Sequence, residues 1–69
     1  EELTVLAPGV QHATLMLYTL EGKEVAAYHG VTALGEGFRI NVTGLSTGAY
    51  WLKVHAGGQV LTRKVLLQR

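Results

Sequence analysis

The sequence predicts a small all-β domain, an antiparallel sandwich or barrel, and three observations lead to this fold class. Short runs of alternating apolar and polar residues are typical of half-buried strands. Glycine-containing turns separate six such runs at spacings of about ten residues, as in sandwiches and barrels. No stretch gives a convincing amphipathic helix. The 69 residues suffice for one domain with a thin core, and there is no cysteine to staple it.

The first two strands are predicted at residues 2–7 and 13–20. Pro8-Gly9 ends the first strand. The second is apolar on both faces, which suits a central strand of a sandwich or a strand covered on both sides. Leu and Met also favour helices, but the flanking turn signals and the short length of the run favour a strand.

A hairpin follows the second strand. Its turn is predicted at Glu21-Gly22-Lys23, after which residues 24–29 return antiparallel. Residues 30–37 form the longest predicted loop, in which residues 31–34 could pair briefly with an edge strand.

Two alternating runs flank a polar turn at residues 45–48 and are predicted as half-buried strands. Their apolar faces consist of Phe38, Ile40 and Val42 before the turn and of Tyr50, Leu52 and Val54 after it. Gly48 suits the turn because glycine takes positive φ at no steric cost. Beside the turn, we expect Tyr50 to pack and to bond the backbone through its hydroxyl.

Gly57-Gly58 is the clearest hairpin signal of the chain and leads into a sixth run at residues 59–67. Neither face of this run is uniformly apolar. We expect Val65 and Leu67 to point inward, with a bulge or register change upstream of them.

Charge is unevenly distributed, although the net charge is only +1. Residues 1–36 hold all five acids and one base, whereas residues 37–69 hold five bases and no acid. The basic half could meet an anionic partner. Alternatively, its charges are solvated strand faces or edge charges that prevent strand pairing. We favour the second interpretation for Arg39 and Lys53, and both remain open for Arg63, Lys64 and Arg69.

Few residues could act in catalysis or metal binding, and we predict neither an enzyme nor a metal or cofactor site. The chain has no Asp, and its three His residues lack metal-ligand spacing. A nucleic-acid-binding face would need several aromatic residues beside basic ones. Only Trp51 with Lys53 offers such a pair. A sugar ring could stack on Trp51. No apolar run approaches the roughly 20 residues of a membrane-spanning helix.

Three motifs stand in order along the chain. Residues 17–25 follow the pattern apolar-Tyr-x-x-x-Gly-Lys-x-Val, residues 40–54 contain Leu-x-x-Gly-x-Tyr, and residues 62–67 contain Thr-x-Lys before a terminal basic residue. The residues that carry the patterns include Gly22, Lys23, Leu45, Gly48, Tyr50, Lys64 and Arg69. In this order and spacing they resemble the C-terminal sorting domains (type A) of the bacterial type IX secretion system. The hairpin has Thr19 where that family often has Asp, and the family's opening Pro-Asn-Pro segment is absent.

The resemblance implies an immunoglobulin-like sandwich of about six to seven strands that is the C-terminal domain, residues 1–69, of a larger secreted protein. The chain opens on Glu1 without an initiating Met, which we interpret as a mature fragment or an excised domain. The implied function is a sorting signal for a passenger domain that precedes it. The implied partners are the outer-membrane translocon, met after periplasmic export, and a sortase-like surface protease.

That protease would remove the domain and often attach the passenger to anionic lipopolysaccharide at the cell surface. Under this hypothesis Gly48 and Tyr50 set the turn and the start of the strand. Lys64 and Arg69 would be the recognised charges.

Two alternatives remain. The chain could be a carbohydrate-binding or structural immunoglobulin-like module appended to a secreted enzyme, with Trp51 stacking on sugar. The flagellar-hook-cap type of immunoglobulin-like domain shares the Gly-x-Tyr pattern but usually has a longer Asp- and Gly-rich loop than residues 41–47, which favours the sorting hypothesis. The last strand could also pair across a two-fold axis to form a homodimer.

Overall fold

The computed structural model describes residues 1–68, and within this range every regular element is a β-strand. The strands are β1 (Glu2–Leu6), β2 (His12–Thr19), β3 (Glu24–Thr32), β4 (Gly37–Asn41), β5 (Gly48–Ala56) and β6 (Gln59–Leu67). They form two antiparallel sheets, one of order β1-β4 and one of order β3-β2-β5-β6. The two sheets form a small immunoglobulin-like sandwich, as predicted.

The core lies between the two sheets and is built by alternating residues along β2, β4 and β5. Its largest fully buried side chains are Phe38, Leu15, Leu17, Ile40, Leu52, Val42 and Val54. Burying such a side chain stabilises the fold by about 1.5–3 kcal/mol. The two apolar faces predicted around the 45–48 turn are therefore confirmed as core.

Strand β2 is apolar on both faces because it is central in the larger sheet, between β3 and β5. Its core face carries Ala13, Leu15 and Leu17, all buried. On its other face Met16 and Tyr18 are half-buried between side chains of the flanking strands. The prediction of a central strand is confirmed, and the second face is not covered by another layer.

Strand β3 continues beyond the predicted end at residue 29. It reaches Thr32, and Val31 pairs with Ala13 of β2. A register shift between Ala13 and Leu15 accommodates this extension, next to Gly30 with φ 62°. The predicted loop at residues 30–37 is correspondingly shorter. Pairing does occur at Val31, but with the central strand β2 rather than with an edge strand.

The prediction of a bulge or register change in β6 was wrong. The β5–β6 register is continuous from Gly48 opposite Leu67 to Ala56 opposite Gln59, and the register shifts of the larger sheet lie between β2 and β3. Leu67 is buried and Val65 half-buried, as predicted. No bulge is needed upstream because the two-stranded sheet does not cover that part of β6, so Leu61 stays 42% exposed on the core-facing side.

Two side chains connect the sheets at opposite edges. The Tyr28 hydroxyl of β3 donates to the Asn41 carbonyl at the end of β4, at 2.7 Å. On the other edge, Arg63 Nη1 of β6 donates to the Leu6 carbonyl at the end of β1, at 2.6 Å. Each bond joins an edge strand of the larger sheet to the smaller sheet. Together they restrict sliding of one sheet over the other.

The Tyr28 bond predicts an alkaline loss of stability. Burial raises the pKa of Tyr28 above its ordinary value of 10.0. The folded state thus favours the neutral hydroxyl, so the stability that this group contributes is complete below the unfolded pKa and is lost as pH rises through the folded pKa.

Removal of the hydroxyl in Tyr28→Phe should lower the free energy of unfolding by about 1 kcal/mol near neutral pH. Urea unfolding of both proteins should show this difference shrinking as pH rises above about 10, since the wild-type tyrosine is then deprotonated. A difference that stays constant across that pH range would contradict the assignment.

Candidate recognition surface

The turn before β5 is fixed by two backbone features and one side chain. Gly48 has φ 154°, in the region that L side chains rarely adopt. The Leu45 N–H donates to the Val42 carbonyl at 3.1 Å. The hydroxyl of buried Tyr50 donates to the Ser46 carbonyl at 2.6 Å. This confirms the structural role expected for Tyr50 and matches the tyrosine corner of immunoglobulin-like domains, where a tyrosine bonds the backbone a few residues upstream.

The β2–β3 hairpin turn is closed around Thr19. Its carbonyl accepts from the Gly22 N–H at 2.9 Å, and its N–H donates to the Lys23 carbonyl at 2.8 Å. The Thr19 hydroxyl also accepts from the Lys23 N–H, at 3.1 Å. A short acidic side chain could accept the same bond. Thr19 therefore performs the local role of the Asp that the family named above often has at this position. Gly22, with φ 99°, allows the turn.

The strand register brings the three motifs to one end of the larger sheet, which we call the motif end. Thr19, the last residue of β2, pairs with Tyr50, and Tyr50 pairs in turn with Val65. Gly48 pairs with Leu67, next to the end of the described chain. The hairpin turn, the start of β5 and the end of β6 are therefore neighbours although they are far apart in sequence.

The seven predicted recognition residues differ in accessibility. Six of them lie in the described range. Gly22, Lys23 and Lys64 are exposed, Leu45 and Gly48 are half-buried, and Tyr50 is buried. Arg69 lies outside the described residues. Tyr50 can therefore act only by shaping the surface, whereas Lys23 and Lys64 can touch a partner directly.

Sequence reasoning did not find the convergence of the motifs or the part that Arg63 plays. The convergence depends on strand order and register, which no local pattern contains. Arg63 was left open between a recognition charge and an edge charge. Its guanidinium is bonded to the Leu6 carbonyl, so it lies at the exposed edge where β6 faces the end of β1.

Trp51 lies away from the core, on the outer face of the larger sheet, and is 38% exposed. The strand alternation predicted this orientation. Its partners across the strands are Tyr18 on β2 and Lys64 on β6. The outer face therefore presents aromatic rings beside amino groups.

Two other features are absent from residues 1–68. This range contains no cluster of three or more His or acidic side chains that could hold a metal ion. It also contains no helix with the length and hydropathy needed to cross a membrane.

The fold and the three motifs at its end define a small immunoglobulin-like domain of the kind that carries a sorting signal. A family model described as the secretion system C-terminal sorting domain matches residues 1–68. The chain belongs to this family, the C-terminal sorting domains of the type IX secretion system. The match includes β1, which lies outside the three motifs. Comparisons with curated proteins and with solved structures found no match.

Membership establishes the general role. Domains of this family are sorting signals of type IX secretion, and they mark proteins that are exported across the outer membrane to the surface or secreted. Members are in general non-catalytic.

The backbone at Gly48 provides a test of how the motif end is held. L-Alanine at position 48 should lower the free energy of unfolding by about 1–3 kcal/mol because its φ is unfavourable for L residues. The added methyl itself meets nothing within 4 Å. D-Alanine at the same position, introduced by chemical synthesis, should be tolerated, because its backbone preference is the mirror image. Urea unfolding measures both, and equal destabilisation by the two isomers would contradict the assignment of the glycine requirement to φ.

Proposed function

We propose that the domain is a folded, non-catalytic address label that the outer-membrane translocon recognises at the motif end after export to the periplasm. The domain, residues 1–69, would follow a passenger in a larger secreted protein. A sortase-like surface protease would then remove it and attach the passenger to the cell surface. The convergence of three separated motifs at one end of the sheet is the observation that supports this proposal most directly.

The physical character of the motif end fits a receptor surface. Tyr50 and Gly48 fix its backbone by a core hydrogen bond and a glycine-specific φ. Lys64 is exposed near it in a segment, residues 37–69, that contains no acid, whereas exposed Lys23 lies between Glu21 and Glu24 of the hairpin. A rigid backbone with an exposed cation on β6 favours an acidic partner surface on that side, because preorganised groups lose little conformational entropy on binding. We propose that the translocon recognises the charges of Lys64 and Arg69.

Export of a fusion protein tests the proposal. Residues 1–69 are attached to the C-terminus of a fluorescent protein directed to the periplasm of a type IX-competent bacterium. The complete fusion should reach the surface or the medium, and a fusion lacking residues 60–69 should remain in the periplasm. A folded complete fusion that stays in the periplasm would contradict a sorting role in that host.

Loss of β6 would also remove a strand of the core sheet, so a point variant is needed to separate recognition from folding. Lys64→Glu should reduce export several-fold by reversing an exposed charge. Arg39→Glu is the matched control, because Arg39 is also exposed but lies on β4 in the smaller sheet. Equal export of the two variants, both shown to be folded by circular dichroism, would remove Lys64 from the recognition surface.

Homodimerisation through β6 stays a prediction. A two-fold register centred on Arg63 would place two guanidinium groups opposite each other, and like charges in that position destabilise a strand pair. Other registers of β6 avoid this contact. Sedimentation velocity of the isolated domain distinguishes a monomer from a dimer.

A further inference from the structure

The outer face of the larger sheet carries a row of side chains, and the proposed recognition surface uses only Lys64 among them. Tyr18, Trp51 and Lys64 are direct cross-strand partners on β2, β5 and β6. Neighbouring strands are about 4.8 Å apart, so this row spans roughly 10 Å. The next row contains Met16 and Lys53, which are also direct partners. We call these five residues the aromatic–lysine face.

Part of this face is held in a fixed geometry. The Lys53 amino group lies 5.0 Å from the centroid of the Tyr18 ring, a cation–π distance. The Tyr18 hydroxyl lies 3.5 Å from the Met16 sulfur. These contacts hold Lys53 and Tyr18 half-buried against the sheet, whereas Trp51 remains exposed beside them. The smaller sheet packs on the opposite side, so within the described chain no strand covers this face.

The charge around Trp51 is positive. Lys53 follows it by two residues on the same face of β5, and Lys64 is its direct partner on β6. The acid nearest in register is Glu24, which pairs with Tyr18 on the far side from Lys64. A ligand on Trp51 would therefore meet two amino groups before it reached a carboxylate.

We propose that the aromatic–lysine face binds an acidic polysaccharide. The apolar face of a sugar ring would stack on the Trp51 indole, and the carboxylates of neighbouring uronic acid units would meet Lys53 and Lys64. The flat, shallow face suits a linear polymer, because two or three adjacent units can lie across the strands. Polymer binding would be a second activity of the domain. It shares Lys64 with the proposed recognition surface but also depends on Trp51 and Lys53, which that surface does not use.

Single-stranded nucleic acid is the competing polyanion. Its binding without sequence preference normally uses a series of stacked bases along a basic groove. This face has one exposed ring, and the second ring, Tyr18, is half-buried beneath Lys53. One stacking position with flanking cations therefore favours a charged sugar polymer.

Trp51 is the only tryptophan of the chain, so its fluorescence reports on the face directly. Titration of the domain with polygalacturonate should change Trp51 emission in a saturable way and less strongly at high salt, because screening weakens the lysine contacts. Dextran, a neutral polymer, should have little effect. An equal response to dextran would overturn the charge requirement, and tighter binding of oligothymidine than of polygalacturonate would overturn the choice of ligand.

Variants distinguish binding at this site from non-specific electrostatic attraction. Affinity electrophoresis in gels containing polygalacturonate should show about tenfold weaker binding for Trp51→Ala, as expected for a lost stacking contact. Lys53→Gln should also weaken binding, whereas Arg39→Gln on the smaller sheet should not. Circular dichroism confirms that each variant is folded. Equal weakening by Lys53→Gln and Arg39→Gln, or unchanged binding by Trp51→Ala, would overturn the proposal.

The sorting role is tested separately by measuring export of the same variants. Export of a Trp51→Ala fusion should match that of the wild-type fusion, since Trp51 is outside the recognition residues of the motif end. Loss of polysaccharide binding with normal export would support a binding activity separable from sorting. Loss of export together with retained polysaccharide binding would assign Trp51 to sorting and overturn the polysaccharide proposal.

Discussion

The structure depends on a mismatch in width between its two layers. A two-stranded sheet of β1 and β4 must close the core of a four-stranded sheet. It covers the middle of β2 and β5, whose core-facing residues are buried, but not residues 59–64 of β6, which are all exposed. In a domain of this size few residues can be spared for a third covering strand. The exposed edge strand is thus a direct consequence of how the chain divides its strands between the sheets.

The two bonds between the sheets follow from the same mismatch. A narrow sheet that packs only through apolar contacts has little to fix its lateral position, because dispersion and hydrophobic contacts are not directional. Tyr28 and Arg63 supply directional bonds from the two outer strands of the larger sheet to the ends of β4 and β1. Arg63 reaches a carbonyl on the side where β1 has no neighbouring strand. An edge residue that could have been a free charge is therefore a structural connection.

Sequence patterns predicted much of this fold, and the reasons are local. Alternation over residues 38–42 and 50–54 fixed which residues enter the core, and Gly57-Gly58, with φ of 55° and 81°, fixed the last hairpin. The inward orientation of Tyr50 and the outward orientation of Trp51 came from the same period of two. These properties depend only on neighbours in the chain, so a single sequence is sufficient to predict them.

The features that were missed depend on distant partners. The end of β3 could not be placed, because Val31 becomes a strand residue only by pairing with Ala13. The bulge was expected in β6 because neither face of residues 59–67 is uniformly apolar, but how much of the inward face needs cover depends on the width of the opposite sheet. The sequence showed each of the three motifs but not that they lie together in the fold. Their proximity follows from the pairing of Tyr50 with both Thr19 and Val65.

Strand β5 links both proposed surfaces through its alternation. Tyr50, Leu52 and Val54 point to the core and hold the motif end, while Trp51 and Lys53 point outward to the aromatic–lysine face. Because the side-chain period of a strand is two, a slip of one residue would exchange the two sets completely. The β5 register is specified by the core. The outward set of β5 side chains can therefore change without disturbing the core register that shapes the motif end.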